Sequence, residues 1–508
     1  MNNSSNKRIV KNTSLLYFRM LLTMLVSLYT VRVVLKTLGV VDYGIYSVVG
    51  GIVEMFSFLS NTMASASERF FAFELGRNNI IQLKRTFSLT VTIYFGIAIV
   101  VFAFAETLGI WFLNNRMVIP YDRLESANWI FHFSIMSFVV TIMTIPYNSI
   151  IIARENMKFY AYVSIIEVVL KLVIVYVLVI VSVDKLKLYG FLIFLIICTT
   201  TFLYRIVCQR NYAESKFKFY WDSKLFKSLL TYSGWNLFGA VTGVANNQGT
   251  NILLNVFFGP VVNAARAIAF RVGTIVGSFS LNFYTAVTPQ IVKSYASGEN
   301  EFMLNLVFKS SRFSYYLLLV IALPIILECE FILHLWLKES SHYITLFTQL
   351  ALIYALINSL ENPLSQAVRA TGNIRKYQVF VGLFTLLLLP VSYALFKSGF
   401  PPESTYYAII SIYSLALFIR LPVLKKLVNL SISKYLREVL WKIMLVTIIS
   451  VLFPLLVKFY IGDGLLQFFI VSIFTVFWII FVVLFFGVSK EERKMVFVQI
   501  KNRLKFNA

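Results

Sequence analysis

The sequence predicts an all-α polytopic membrane protein of about 14 transmembrane helices, built as two pseudosymmetric six-helix lobes followed by a C-terminal helix pair. Three observations predict it. Apolar residues make up 59% of the 508 positions and charged residues 14%, against about 45–50% and 25% in soluble domains. Mean hydropathy is +0.78, and apolar runs of about 18 residues or more, each able to cross a bilayer, recur from end to end. The two halves also echo one another: Leu38-Gly39-Val40-Val41-Asp42 leads into the second span, which ends before Glu74-Leu75-Gly76-Arg77. Phe258-Gly259-Pro260-Val261-Val262-Asn263 leads into the eighth, which ends before Ala296-Ser297-Gly298-Glu299, an offset close to 220 residues. Both copies start on the same side, so the repeat is parallel, and a transporter built this way binds at the interface between its halves.

Spans are expected at 13–37, 42–64, 86–109, 124–147, 160–181 and 188–208, then at 226–255, 263–287, 304–327, 344–366, 377–396 and 405–424, with a last pair at 438–460 and 465–487. This gives an N-lobe over 1–210, an inter-lobe linker at 211–225, a C-lobe over 226–425, the terminal pair over 426–487 and a basic tail at 488–508. The spans consume roughly 308 residues at about 22 each. The rest is spread over termini and loops too short for a globular catalytic domain, which disfavours ATP-driven pumps of the common kind. The first apolar stretch, Leu15 to Leu38, is too long for a signal peptide and holds Arg19 and Arg32, so it is expected to remain as a helix.

The net charge of +23 would suggest nucleic acid in a soluble protein. Here its distribution is topology, and no nucleic-acid partner is expected. Counting with each loop the span ends that flank it, as in the segment 420–442 that begins at Arg420, 33 of the 46 Lys and Arg fall in one alternating set of termini and loops, 8 in the other and 5 deeper within spans. The positive-inside rule puts the first set, with both termini, in the cytoplasm. The tail from Lys490 to Lys505 reads as an orientation anchor on the lipid surface. Two cytoplasmic segments, Ser67 to Arg85 and Gln209 to Lys224, mix aromatics with cations as interfacial helices do. The outer loops are short, which weighs against a polymerase or ligase working on sugars outside the membrane.

Enzyme motifs are absent: there is no phosphate-binding loop, no H-E-x-x-H and no Cys-x-x-Cys. Cys198, Cys208 and Cys329 read as reduced apolar fillers. His334 and His342 read as interface residues, and His132 as a hydrogen-bonded packing residue. No cofactor is implied. Ionisable groups inside spans cost about 2.5–3.5 kcal/mol each and therefore face a partner or a wet cavity. Glu54 lies near the middle of span two, Arg271 near the middle of span eight and Arg266 a turn further out, while Arg19 and Arg32 lie toward opposite ends of span one. Glu167 and Lys171, at i and i+4 with the acid first, are spaced for a structural ion pair. Asn247, Asn251 and Asn255 form an amide stripe on span seven beside Asn246 and Gln248. Such a stripe is either interhelical hydrogen-bonding glue or the wall of a path for a hydroxylated substrate. With the arginines of span eight it would offer amides for sugars and bidentate cations for phosphate. Pro146, Pro324, Pro363, Pro390, Pro422 and Pro454 each permit a bend.

Arg8-Ile9-Val10-Lys11-Asn12-Thr13-Ser14, the run Leu38-Gly39-Val40-Val41-Asp42-Tyr43-Gly44-Ile45-Tyr46, and Glu68-Arg69-Phe70-Phe71 resemble the Wzx-type polysaccharide flippases of the multidrug/oligosaccharidyl-lipid/polysaccharide (MOP) exporter superfamily. The likeness in spacing runs over the whole chain. It implies a V-shaped pair of bundles in the bacterial cytoplasmic (inner) membrane, where an undecaprenyl-diphosphate-linked oligosaccharide passes from the inner to the outer leaflet by alternating access for surface polysaccharide synthesis. It implies a cationic cavity, with Arg19, Arg32, Arg266 and Arg271 at the matching positions. By its own depth in the span, Glu54 reads either as a structural ion-pair partner of Arg271 or as counter-ion to the cavity arginines and site of an H+ or Na+ coupled to transport. The implied partners are the polyprenyl-diphosphate-linked glycan, membrane lipids, and a polysaccharide polymerase and glycosyltransferases acting on either side of the flipping step. The rivals are a cation-coupled multidrug exporter of the same superfamily, which would favour cavity acids over arginines, and a membrane glycosyltransferase or polymerase.

Overall fold

A computed structural model describes the backbone of residues 3–54, 57–117, 119–337, 342–461, 464–489 and 492–493. Within these, the side chains at 3–11, 28, 31–32, 35, 40–41, 47–48, 50–54, 57–58, 116 and 260 lie outside the description. Fourteen helical stretches follow one another, and none of the described residues is in a strand. They are α1 (3–38), α2 (40–54 and 57–76, on either side of two residues outside the description), α3 (80–116), α4 (Leu124–Ala153), α5 (Met157–Ile180), α6 (Lys185–Asn211), α7 (223–258), α8 (260–296), α9 (Asn300–Leu327), α10 (His342–Thr371), α11 (Arg375–Lys397), α12 (Ser404–Val428), α13 (Ile432–Tyr460) and α14 (Leu465–Gly487). A short helix, Cys329–Leu337, extends α9. Among the described residues, eleven of these helices are long and apolar enough to cross a membrane. α7 is not among the eleven, because its amides lower its hydropathy. The chain is an all-α polytopic membrane protein.

Local chemistry sets the breaks. α1 passes into α2, and α7 into α8, through a single residue: Gly39 (φ 81°, ψ 168°) and Gly259 (φ 78°, ψ −176°). That backbone region is essentially confined to glycine, and the two positions are 220 residues apart, the offset of the sequence echo. The far ends of α2 and α8 repeat the pattern, with left-handed residues at Asn78 (φ 53°) and Gly298 (φ 84°). Asn79, Asn156, Asp184 and Asp222 then cap α3, α5, α6 and α7 by accepting backbone N–H bonds from the first turn. Five of the six prolines sit in uninterrupted helix, whereas α11 breaks at Leu387, next to the Leu386 carbonyl that Pro390 cannot bond.

By its contacts the chain forms two compact units, Met1–Ala240 with Val292–Glu299, and Val241–Ile291 with Asn300–Ala508. In the first unit, α4 packs against α2, α3 and α6, and α1 lies on α5. One core joins Ile45, Val49, Met63, Tyr94, Ile130, Phe131 and Ile135, and another joins Val34, Leu38, Ile174, Leu178 and Tyr189. Arg123 ties one end together, with the Nε–Nη2 edge of its guanidinium on both carboxylate oxygens of Asp42 and Nη1 donating to Asp184 at 3.4 Å. Partial burial opposes ionisation of Asp184, yet the Ser126 hydroxyl, the backbone N–H groups of Lys187 and Leu186, and Arg123 hold its carboxyl below the usual range. At the opposite end, Lys293 donates to buried Glu155 at 2.6 Å, and Gly76 is packed so tightly on Lys293 and Ala296 that a Cβ would clash at 2.5 Å. In the second unit, α10 packs against α9 and α12, and α14 against α13 and α9. Arg312 of α9 holds the chain end after α14, donating to Glu492 at 2.9 Å and to the Gly487 carbonyl at 3.1 Å. Of the basic tail, 490–491 and 494–508 lie outside the described residues.

Two expectations are corrected. Ser67 to Arg85 is not an interfacial helix but the end of α2, a tight turn and the start of α3, with Phe70 and Phe71 buried. Past Asn211, the second segment is a 3-10 turn, Ala213–Ser215, and then extended chain to Asp222, because Glu214 is buried on Arg154 and holds the segment down. The three cysteines are free.

Candidate substrate site

In the second unit, α7 and α8 bring together three of the polar residues singled out from sequence. Arg266 is 5% exposed and has no carboxylate partner among the described residues; its guanidinium donates to Asn247 Oδ1 at 3.0 Å and to Asn251 Oδ1. Asn251 passes its own amide N–H to Gln248 Oε1 at 3.0 Å, and Phe270 lies 5.9 Å from the guanidinium carbon. The spacing explains the match: Asn247 and Asn251 are one turn apart on α7, so both reach the same residue of a helix running back beside it. Nε of Arg266 is buried without a hydrogen-bond partner among the described residues. Amide oxygens solvate the guanidinium without cancelling its charge, so the site keeps a net positive charge at low dielectric.

The stripe does not stay together over its whole length. Asn255 is exposed one turn beyond Asn251. Arg271, five residues past Arg266 and so about 140° around the helix, is exposed and has no hydrogen bond or ion pair among the described residues. It shares its exposed face of α8 with Ala264, Ala267 and Thr274.

In the first unit, Arg19 of α1 donates to Ser164 Oγ of α5 at 3.4 Å and stacks 4.7 Å over the Tyr160 ring. Ser164, Glu167 and Lys171 share one face of α5, and Lys171 donates to Glu167 at 2.6 Å with both side chains near 40% exposure. The side chains of Arg32 and Glu54 lie outside the described residues.

Two intramembrane pairs were not anticipated. Arg420, counted among cytoplasmic cations by the sequence reading, is 1% exposed within α12, donating to Glu361 of α10 at 2.7 Å and to the Tyr377 hydroxyl at 3.0 Å. Glu106 stands on a π-turn of α3, Ala105–Gly109, and meets His132 Nδ1 of α4 at 2.9 Å. The available signal was an ionisable residue next to or inside an apolar run, each needing a partner. Together with Glu167–Lys171, these pairs set Glu106, Glu167 and Glu361 each against a base.

Comparison with known proteins bears on the fold and the family. No curated protein matches the chain. Among solved structures, it resembles a multidrug resistance MATE family transporter of the MOP superfamily in an outward-facing conformation (TM-score 0.71, 13% identity, covering 84% of this chain and 96% of that one). It also resembles the MATE transporter ClbM in complex with Rb+ (0.70, 14%, 86% and 97%). A third is a MOP superfamily transporter from Pyrococcus furiosus described as having a binding pocket of reversed polarity that suggests a different function (0.68, 12%, 82% and 96%). The MatE family description matches residues 16–177 and 247–394, covering the first five helices and then α7 to α11. With that match over more than half its length, the chain belongs to the MatE family of membrane transporters.

Proposed function

We propose that the protein is a flippase moving a polyprenyl-diphosphate-linked oligosaccharide across the bacterial cytoplasmic membrane for surface polysaccharide synthesis. The observation that carries the reading is Arg266: a buried cation held by two amides and, among the described residues, by no acid. A site that must hold a diphosphate in a low-dielectric medium needs a cation whose charge is still available, and arginine's fork suits the phosphate oxygens. Exposed Arg271 adds a second cation in mid-span, where an ionisable group faces a partner or a wet cavity, and Asn255 and Gln248 offer amides to sugar hydroxyls. The Pyrococcus furiosus transporter of reversed pocket polarity is a precedent for departure from the multidrug role within this superfamily. At Glu167, Glu106 or Glu361 a coupling H+ or Na+ would have to displace Lys171, His132 or Arg420 from its acid. This is an obstacle for a cation-coupled drug exporter.

The test is complementation of a strain lacking its polysaccharide flippase, with membrane abundance measured in parallel. Arg271→Ala is expected to abolish surface polysaccharide at normal protein level, and Arg271→Lys to restore it partly. Full export by Arg271→Ala, or drug resistance without any effect on polysaccharide, overturns the proposal.

A further inference from the structure

Within the first unit, a cavity of about 190 Å³ lies among α2, α3 and the start of α7. Thr62, Met63, Thr90, Tyr94 and Leu229 form its buried floor, and Leu230, 42% exposed, forms part of the rim. The lining is overwhelmingly apolar. Two of its four hydroxyls are engaged with backbone: Tyr94 donates to the Met63 carbonyl at 2.5 Å, and Thr90 to that of Thr86 at 2.7 Å. Water therefore gains little here, and apolar cavities of about 150 Å³ stay dry and take up apolar molecules. Gly234 stands in the wall, and a Cβ built on it meets nothing within 4 Å, so the groove is open at this point because the side chain is missing.

The end of the groove is marked by charge. Lys227 sits one turn before Leu230 on the face of α7 that continues through Gly234 and Leu237. Lys84 and Arg85 are exposed on the first turns of α3, which runs in from the same end. Beside them, the extended chain Lys216-Phe217-Lys218-Phe219 is exposed throughout, with Trp221 also half exposed. It is fixed to α3 by the Lys218 backbone N–H on Ser88 Oγ at 3.3 Å and by Arg85 over Tyr220 at 5.4 Å. Alternating lysine and aromatic side chains is the pattern of a segment at headgroup depth. Asp222, which caps α7, is the one acid in this set of six cations, Lys84, Arg85, Lys216, Lys218, Lys224 and Lys227.

We propose that this groove holds one acyl chain of an anionic phospholipid, with the headgroup phosphate among Lys218, Lys227 and Arg85. Phospholipid is the occupant because the groove's rim lies on helices that the bilayer surrounds, and because the cations stand where a chain in the groove would end in its headgroup. The inference is independent of the transported substrate.

The test uses the full chain in vesicles of phosphatidylethanolamine containing phosphatidylglycerol, followed by detergent extraction and native mass spectrometry. One phosphatidylglycerol is expected to stay bound. Gly234→Phe, which fills the open space, should lower its retention about ten-fold or more, the factor carried by roughly two buried methylenes. Gly96→Phe, on an exposed face of α3 outside the groove, should retain it. Arg85→Gln with Lys227→Gln should leave a phospholipid bound but erase the preference for phosphatidylglycerol over phosphatidylcholine. As a measurement that needs no variant, phosphatidylglycerol brominated in its chain should give bromine density between Leu230 and Ile93. Wild-type-like retention by Gly234→Phe, no bromine density in the groove, or retention of a polyprenyl phosphate in place of phospholipid each overturns the proposal.

Discussion

At the scale of single residues, two glycines bear the tightest constraint. Gly39 and Gly259 hold a backbone conformation that a Cβ penalises, although the space around each is empty. The constraint is conformational and not steric crowding by neighbours, so even alanine should be costly. Gly39→Ala and Gly259→Ala should each destabilise by about 1–3 kcal/mol. Gly44→Ala and Gly277→Ala, where the added methyl also meets nothing but the backbone is helical, should be neutral or stabilising by about 1 kcal/mol at most. Unfolding midpoints in detergent check this, and equal losses at all four sites would remove the conformational argument. The Arg266 cluster shows what a sequence carries at this scale and what it withholds. The i, i+4 spacing of Asn247 and Asn251 places two amides on one face, and the neighbouring helix must then supply what they bond. Nothing in the sequence tells Arg266 from Arg271, since which face of α8 is buried depends on packing against helices far away in the chain.

At the scale of elements, the described residues of each expected span lie in one helix, apart from Val181 just past α5 and Leu387 at the break of α11, and most helices run on past the apolar stretch. α3 extends to 80–116 where 86–109 is apolar, and α8 to 260–296 where 263–287 is. Hydropathy reports the bilayer-facing length, while a helix continues until a cap or a left-handed residue stops it, as Asn79 and Gly298 do. The same gap hid Arg420: a cation at the end of an apolar run reads as topology until its helix proves longer and its side chain turns inward to Glu361. Capping also yields a test. Asp184 is a carboxylate held below its usual range, so its stabilisation is present above the unfolded pKa of about 3.9 and is lost as pH falls through the lower folded value. Asp184→Ala should cost about 0.5–2 kcal/mol at neutral pH through the lost α6 cap. The difference from wild type should stay level down to about pH 4 and shrink below it. Thermal unfolding across that range is the measurement, and a difference that grows on acidification would contradict the assigned protonation state.

At the scale of the whole molecule, the asymmetry of Lys and Arg predicts that both termini are cytoplasmic. A reporter active only outside the cytoplasm should give signal when fused after Ser398 and none when fused after Gly298; the reverse would mean a miscounted span. The division into two units has its own consequence. It does not fall in the connection at 211–225: the chain passes from one unit to the other inside α7, at 240/241, and inside α8, at 291/292. A gene cut at codon 216 would thus not yield two complete halves. Its N-terminal product would lack Tyr232, whose ring meets Phe70 at 5.6 Å, and the Lys293 that neutralises buried Glu155. Split proteins made this way should be insoluble or degraded when produced singly and should accumulate only when both fragments are made in the same cell. The complementing partner is a stretch of helix borrowed from the other half.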